Sequence, residues 1–374
     1  MAERLPGCPS PSGRLARTLL HPVAAGLLCL VLIAGAVASP RELASAAPGE
    51  TVPVPTYMFV HDPSLTREGA TWYLFSTGDP QGKVDGGNIQ IRESTNLKQW
   101  TFVGTVFPVI PAWVTSQLGQ IPNLWGPDIS YFDGEYHLYY AASTFGSNDS
   151  LIALATNATL DPKSANYHWR DNGEVFSSNT SDDYNAIDPA LVPGPQGSRW
   201  LLFGSFWSGI KLVRLDAATG KLASGSPQLV SLSESAGPDP EEGAYLVAHG
   251  GYYYLFVSYG ACCKGIGSTY QELVGRSRQI TGPYVDPNGT SMLDGGGMEL
   301  LGSDQGMIGP GSASVYVSQA GDLIDYHYYD AWANGAPWIQ VRELYWTAGG
   351  WPVTGPPIVP VPGSPVTGAP GAAQ

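Results

Sequence analysis

Short apolar and aromatic runs, many of them alternating, recur along the chain between turns rich in Gly, Asp and Pro. Such runs read as strands. Five are prominent: Thr71–Ser76, Tyr136–Ala142, Arg199–Ser205, Tyr252–Ser258 and Leu323–Tyr329. Each follows a turn: Arg67-Glu68-Gly69, Asp133-Gly134, Gly194–Gly197, Gly250-Gly251 and Gly321-Asp322. A further strand precedes each turn, and a short acidic or Gly-Pro loop precedes that. These loops are His61-Asp62-Pro63-Ser64, Trp125-Gly126-Pro127-Asp128, Ile187-Asp188-Pro189, Glu241-Glu242-Gly243-Ala244 and Gly309-Pro310-Gly311-Ser312. From Trp72 through Tyr136, Trp200 and Tyr253 to Asp325 the spacings are 64, 64, 53 and 72 residues. A sandwich spaces its turns every ~8–12 residues without such a super-period. A unit repeating at this interval predicts an all-β, five-bladed β-propeller. No stretch sustains helical apolar spacing over three turns; Val114–Leu118 and Asp161–Ala165 are the candidates for single helical turns.

The N-terminus follows a different pattern. Arg4, Arg14 and Arg17 precede an apolar run from Val23 to Ala38 that ends in Ala36-Val37-Ala38. This predicts a signal peptide over 1–38 and a secreted protein. The alternative, a retained anchor, needs a span of about 20 residues, longer than this run. Residues 39–54 read as a linker, 55–355 as the propeller and 356–374 as a Pro/Gly-rich tail. The leader takes three Arg and one Glu from the chain's 18 basic and 32 acidic residues, leaving the remainder at a net charge of −16. That surface argues against nucleic acid and, once the leader is cleaved, against anionic membranes as partners. A neutral polysaccharide is compatible with it. The expected state is a monomer. Cys8 and Cys29 leave with the leader, and Cys262-Cys263 remain as a vicinal disulfide or two buried thiols, with no zinc-ligand spacing around them.

Corresponding loops of a propeller converge near its axis. The fold would therefore gather Asp62, Asp128, Asp188 and Glu242, far apart in sequence. Hydrolysis of a glycosidic bond uses two flanking carboxyl groups, one protonated and one ionised. Mutual repulsion and partial burial raise the pKa of at least one of them. Asp-Pro is also a common turn device, but turn chemistry alone does not require acids in four separate units.

These motifs carry a resemblance. His61-Asp62-Pro63-Ser64, Leu124-Trp125-Gly126-Pro127-Asp128, Asn185-Ala186-Ile187-Asp188-Pro189, Gly204-Ser205-Phe206-Trp207, Glu242-Gly243-Ala244-Tyr245, Cys262-Cys263-Lys264-Gly265 with Ser268-Thr269-Tyr270, and Tyr326-His327-Tyr328-Tyr329-Asp330 resemble glycoside hydrolase family 43, most closely its endo-α-1,5-L-arabinanases. The resemblance spans roughly residues 55–350. It implies hydrolysis of arabinan, found in pectin side chains, with inversion at the anomeric carbon. Asp62 would be the general base, Glu242 the general acid and Asp188 the carboxylate that raises the acid's pKa. Inversion implies carboxyl groups ~6.5–9.5 Å apart. Glu241 competes for the acid role, but strand alternation points it the other way. Trp125, Asn185, Ser205 and Phe206 match sugar-binding positions, while Asp128 is expected to be structural. Many relatives hold calcium on the axis through a histidine in Gly-Pro-Gly-His. Here that position is Ser312, and His327 is the nearest substitute ligand. The alternatives are an exo-acting α-L-arabinofuranosidase or β-xylosidase of the same family, or a carbohydrate-binding propeller without catalysis.

Overall fold

A computed structural model describes residues 59–79, 87–225, 227–235, 240–359 and 361. The signal peptide and linker predicted above lie outside them. The described strands form five four-stranded antiparallel sheets, each built from one continuous segment. Blade 1 contains Ser64–Glu68, Thr71–Ser76, Gln90–Ser94 and Thr101–Thr105 (β1–β4). Blade 2 contains Trp125–Phe132, Glu135–Ala142, Ser150–Asn157 and Arg170–Ser178 (β5–β8). Blade 3 contains Ala190–Pro193, Arg199–Phe203, Ile210–Leu215 and Val230–Ser233 (β9–β12). Blade 4 contains Glu241–His249, Tyr252–Tyr259, Gln271–Ser277 and Met298–Leu301 (β13–β16). Blade 5 contains Met307–Tyr316, Asp322–Asp330, Ala336–Trp346 and Pro352–Pro357 (β17–β20). This is the five-bladed β-propeller that the periodicity predicts.

The aromatic second strands become β2, β6, β10, β14 and β18. Their apolar side chains pack between neighbouring blades, which is why these strands read as nearly continuous apolar runs. Every residue of β7 is buried. One core cluster joins blades 1 and 2 through Phe75, Leu138 and Tyr140, and another joins blades 3 and 4 through Leu202, Leu212 and Leu255. A third runs from blade 4 through blade 5 to blade 1, through Phe256, Tyr326, Ile339, Leu65 and Leu74.

Two expectations shift. Val114–Leu118 lies in a helix, Ala112–Leu118 (α1), but Asp161–Ala165 forms only turns. The propeller also extends past residue 355 into the segment read as tail. Strand β20 reaches Pro357, and Val359, 3 % exposed, donates its N–H to Gln340 Oε1 at 3.0 Å. Its prolines are tolerated because β20 is the outer edge of its sheet.

The innermost strands share a register that the sequence loops conceal. Five triplets line a small axial cavity of about 40 Å³: Asp62-Pro63-Ser64, Gly126-Pro127-Asp128, Asp188-Pro189-Ala190, Gly243-Ala244-Tyr245 and Ser312-Ala313-Ser314. The first residue of each triplet has a left-handed backbone, with φ of 51, 44, 53, 57 and 50° respectively. The four acids are therefore not equivalent, as the loops suggested. Asp62 and Asp188 share the first position, Asp128 stands third and Glu242 precedes its triplet.

The third position fastens one blade to the next. Leu65 N–H donates to Ser314 Oγ at 3.4 Å, Ile129 N–H to Ser64 Oγ at 3.1 Å and Leu191 N–H to Asp128 Oδ2 at 2.8 Å. Ser64 Oγ also donates to Asp128 Oδ1 at 3.4 Å. Asp128 is thus an inter-blade clasp, 2 % exposed, and burial pushes its pKa up to about 6 against the opposing bonds from Leu191 and Ser64. A raised folded-state pKa contributes stability that is full below the unfolded value and is lost as pH rises through the folded one. Replacing Asp128 by Ala leaves buried donors unpaired and is expected to cost about 1–3 kcal/mol at pH 5. The difference from the parent should shrink as pH rises to about 6 and level off above it. Denaturant unfolding at pH 5 and 8 checks both statements, and a difference that grows with pH would contradict the assignment.

Candidate active site

The left-handed backbone at Asp62 and Asp188 turns each carboxylate toward the axis. Asp adopts this conformation more readily than most residues, at a cost of ~1–2 kcal/mol, and non-glycine residues held there cluster at functional sites. Gly126 is required for a different reason. A Cβ at that position would lie 2.9 Å from Asp188 Oδ1, so glycine leaves room for the carboxylate.

Asp62 sits where blade 1 meets blade 5. Thr77 Oγ1 donates to its Oδ2 at 2.5 Å, and its backbone N–H donates to His327 Nδ1 at 3.2 Å. His61 Nδ1 lies 3.7 Å from Oδ1. Burial acts to raise the Asp62 pKa, but His61 and the Thr77 hydroxyl outweigh it, and the carboxyl is held well below the usual range. His327 is fully buried, and burial keeps its imidazole neutral. It therefore supports Asp62 by accepting a backbone N–H rather than by charge.

Glu242 is surrounded by hydroxyls. Ser205 Oγ donates to its Oε2 at 2.7 Å, and the Tyr270 hydroxyl donates to Oε1. Burial raises its pKa more than these two bonds lower it, and the Asp62 charge adds to the rise. Asp188 accepts the Gly243 N–H at 3.0 Å. Burial, then the charges of Glu242 and Asp62, push its pKa well up. Glu241, next to Glu242, points away into the protein, where Ser233 Oγ donates to it at 2.6 Å. The site thus holds one carboxyl poised to stay ionised beside a pair, Asp188 and Glu242, whose mutual repulsion holds a proton on one when the other is ionised.

The expected sugar contacts divide. Trp125 and Phe206 are half-buried, and the Trp125 indole is oriented by Asn123 Oδ1 at 2.9 Å. Asn185 and Ser205 are each 3 % exposed. Asn185 accepts from Ser150 Oγ at 2.7 Å, and the Ser205 hydroxyl is committed to Glu242. The Ser205 hydroxyl thus braces Glu242, and Asn185 uses its side-chain oxygen within the protein. Residue-by-residue reading missed Thr77, Tyr270 and Tyr329 as site groups. Their signal was positional: each lies at or just beyond the end of a strand on the face that carries the loops.

His327 is not among the residues lining the axial cavity; its Nδ1 accepts the Asp62 N–H, and its Nε2 is buried without a hydrogen-bond partner among the described residues. One cluster of three possible ligand atoms stands out among the described residues, on His61, Asp62 and His327, but it includes the ionised carboxylate itself. In the axial cavity, Ser64 and Ser314 donate to Asp128 and Asp325 and both Asp128 oxygens accept hydrogen bonds. Calcium takes ~6–8 oxygen ligands, and these committed groups do not form a protein-ligated calcium site.

A buried carboxyl cluster at the mouth of a propeller, with divergent proton affinities, is the apparatus of a glycoside hydrolase. The profile of glycosyl hydrolases family 43 matches residues 52–352, and the chain belongs to that family. It is 39 % identical over 296 residues to the extracellular endo-α-(1→5)-L-arabinanase 1 of Bacillus subtilis strain 168, covering 78 % of this chain and 87 % of the relative. It is also 39 % identical over 306 residues to the extracellular exo-α-(1→5)-L-arabinofuranosidase of Cellvibrio japonicus, covering 78 % and 85 %. Among solved structures, the Cellvibrio cellulosa α-L-arabinanase complexed with arabinohexaose superposes with a TM-score of 0.75 at 37 % identity, covering 80 % of this chain and 96 % of that one.

The local electrostatics can be tested apart from turnover. Replacing Tyr270 by Phe keeps the ring and removes a donor that stabilises the Glu242 carboxylate. The Glu242 titration, followed by carboxyl-carbon NMR, should move to higher pH. An unchanged titration would contradict the assigned bond.

Proposed function

We propose that this protein is a secreted endo-acting hydrolase of α-1,5-L-arabinofuranosidic linkages in arabinan, working with inversion. The observation that carries the reading is the opposite displacement of two carboxyl groups at one site. Asp62 is held ionised by its His61 and Thr77 neighbours, and Glu242 is biased toward its protonated form by burial. In the proposed reaction, Asp62 takes a proton from water as the water attacks the anomeric carbon. Glu242 donates its proton to the departing sugar oxygen. Asp188, close enough to interact with Glu242 by charge, favours the protonated acid before donation. The half-buried faces of Trp125 and Phe206 are suited to furanose packing. The endo assignment and secretion rest on the relative named as an extracellular endo-acting arabinanase. The exo alternative has specific support in the equally similar relative named as an exo-acting arabinofuranosidase.

The pH profile follows from the two directions. Activity needs Asp62 ionised and Glu242 protonated, so the acid limb should lie below the usual carboxylate range and the alkaline limb above it. Replacing Asp188 by Asn removes a negative neighbour of Glu242 and should move the alkaline limb to lower pH. An unmoved limb would argue against the modulating role.

The decisive assay is early product analysis on debranched arabinan, with xylan in parallel. The proposal expects mixed arabino-oligosaccharides, inverted anomers by NMR and little action on xylan. Glu242→Gln should lower the rate by about 10²–10⁴-fold while leaving oligosaccharide binding measurable. Arabinose alone from the first time points would favour the exo reading, and full activity of the Gln variant would remove Glu242 from the acid role.

A further inference from the structure

Cys262 and Cys263 form a vicinal disulfide in the loop between β14 and β15. The loop is fastened at its base, where Ala261 N–H donates to Thr269 Oγ1 at 3.0 Å and Thr269 N–H to the Ala261 carbonyl at 2.9 Å. Just beyond it, Tyr270 donates to Glu242. At its tip, Cys263 N–H donates to the Tyr329 hydroxyl at 2.6 Å, and that hydroxyl lies 3.1 Å from His61 Nε2. One loop therefore touches the surroundings of both Glu242 and Asp62.

An amide N–H donates and cannot accept, so the Tyr329 oxygen accepts from Cys263, and this leaves the Tyr329 proton able to be given to His61 Nε2. An Nε2 that accepts leaves the neutral ring proton on Nδ1, the nitrogen that faces Asp62 Oδ1 at 3.7 Å. The amide that starts this chain lies inside the small covalent ring closed by the disulfide. Cys263 is held there in the left-handed region, with φ of 65°. The disulfide thus restricts the direction of the N–H on which the His61 tautomer depends.

We propose that the Cys262–Cys263 disulfide is a positioning device for catalysis: it fixes the Cys263 amide, which orients Tyr329, which in turn sets the His61 tautomer presented to Asp62. The proposal rests on the reading of Asp62 as the base. The experiment uses the full chain with nitrogen-labelled histidine, before and after a dithiol reductant, alongside Cys262→Ser/Cys263→Ser, Tyr329→Phe and their combination. In the oxidised parent, His61 should show its proton fixed on Nδ1. Reduction or the serine pair should release that tautomer and lower kcat by about 10–100-fold, the loss expected from misplacing a reacting group, with KM little changed. Re-oxidation should restore both. Tyr329→Phe should reproduce the effect, and adding the serine pair should cost nothing further. An unchanged tautomer and kcat after reduction, or additive losses in the combined variant, would overturn the proposal. If the tautomer responds but the parent does not hydrolyse arabinan, the positioning stands and the functional reading fails.

Discussion

The structure depends on hydrogen bonds that run around the axis. At three blade junctions, an inner-strand N–H donates to a side chain at the third position of the preceding blade's triplet: Ser314, Ser64 or Asp128. Among the described residues no strand is exchanged between the first and last blades, because each sheet is built from one continuous segment. Apolar packing drives the blades together, but it is non-directional. The bonds at the axis specify how one blade sits against the next, so they also determine where the first position of every triplet points.

That first position has left-handed backbone in all five blades, yet only Asp62 and Asp188 carry acids there. Gly126 and Gly243 take the conformation without steric cost; Gly126 leaves room for the Asp188 carboxylate and Gly243 for Ser312, and Gly243 also donates its N–H to Asp188. Ser312 fills the fifth place, and its N–H donates to Ser258 Oγ at 2.6 Å, which in turn donates to the buried Glu272 at 2.9 Å. Blade 5 thus completes the ring with a neutral hydroxyl where relatives are expected to place an imidazole.

The blades were legible in the sequence because the signal is local: aromatic β-strands bounded by Gly and Asp turns at near-regular spacing. The three acids were legible because Asp-Pro and Glu-Gly motifs precede inner strands. Their inequivalence was not legible. Distinguishing Asp128, third in its triplet, from Asp62, first in its own, needs the strand register, and a shift of one or two residues changes which way a side chain faces. Ser205 meets Glu242 and Asn185 meets Ser150, and sequence does not reveal whether such a polar group faces a ligand or another side chain. His327 illustrates the same limit. A lone histidine in an aromatic strand gives no hint that its acceptor nitrogen will meet the N–H of a residue 265 positions earlier.

The seam of the ring accounts for the chemical difference between the two proposed catalytic carboxyls. Asp62 opens the first blade and must be held from the last one, so its neighbours come from both ends of the domain: His61 and Thr77 on one side, His327 and Tyr329 on the other. Two imidazoles meet there, with ring centroids 4.0 Å apart. They supply a nitrogen acceptor for the Asp62 backbone and a polar partner for its carboxylate. Glu242 lies at an interior junction of the ring, where its carboxyl accepts from the hydroxyls of Ser205 in blade 3 and Tyr270 next to blade 4. Hydroxyls can serve a carboxyl in either protonation state, whereas the groups around Asp62 favour the anion. The side chains that meet at this seam are therefore the ones that hold Asp62 as the anion.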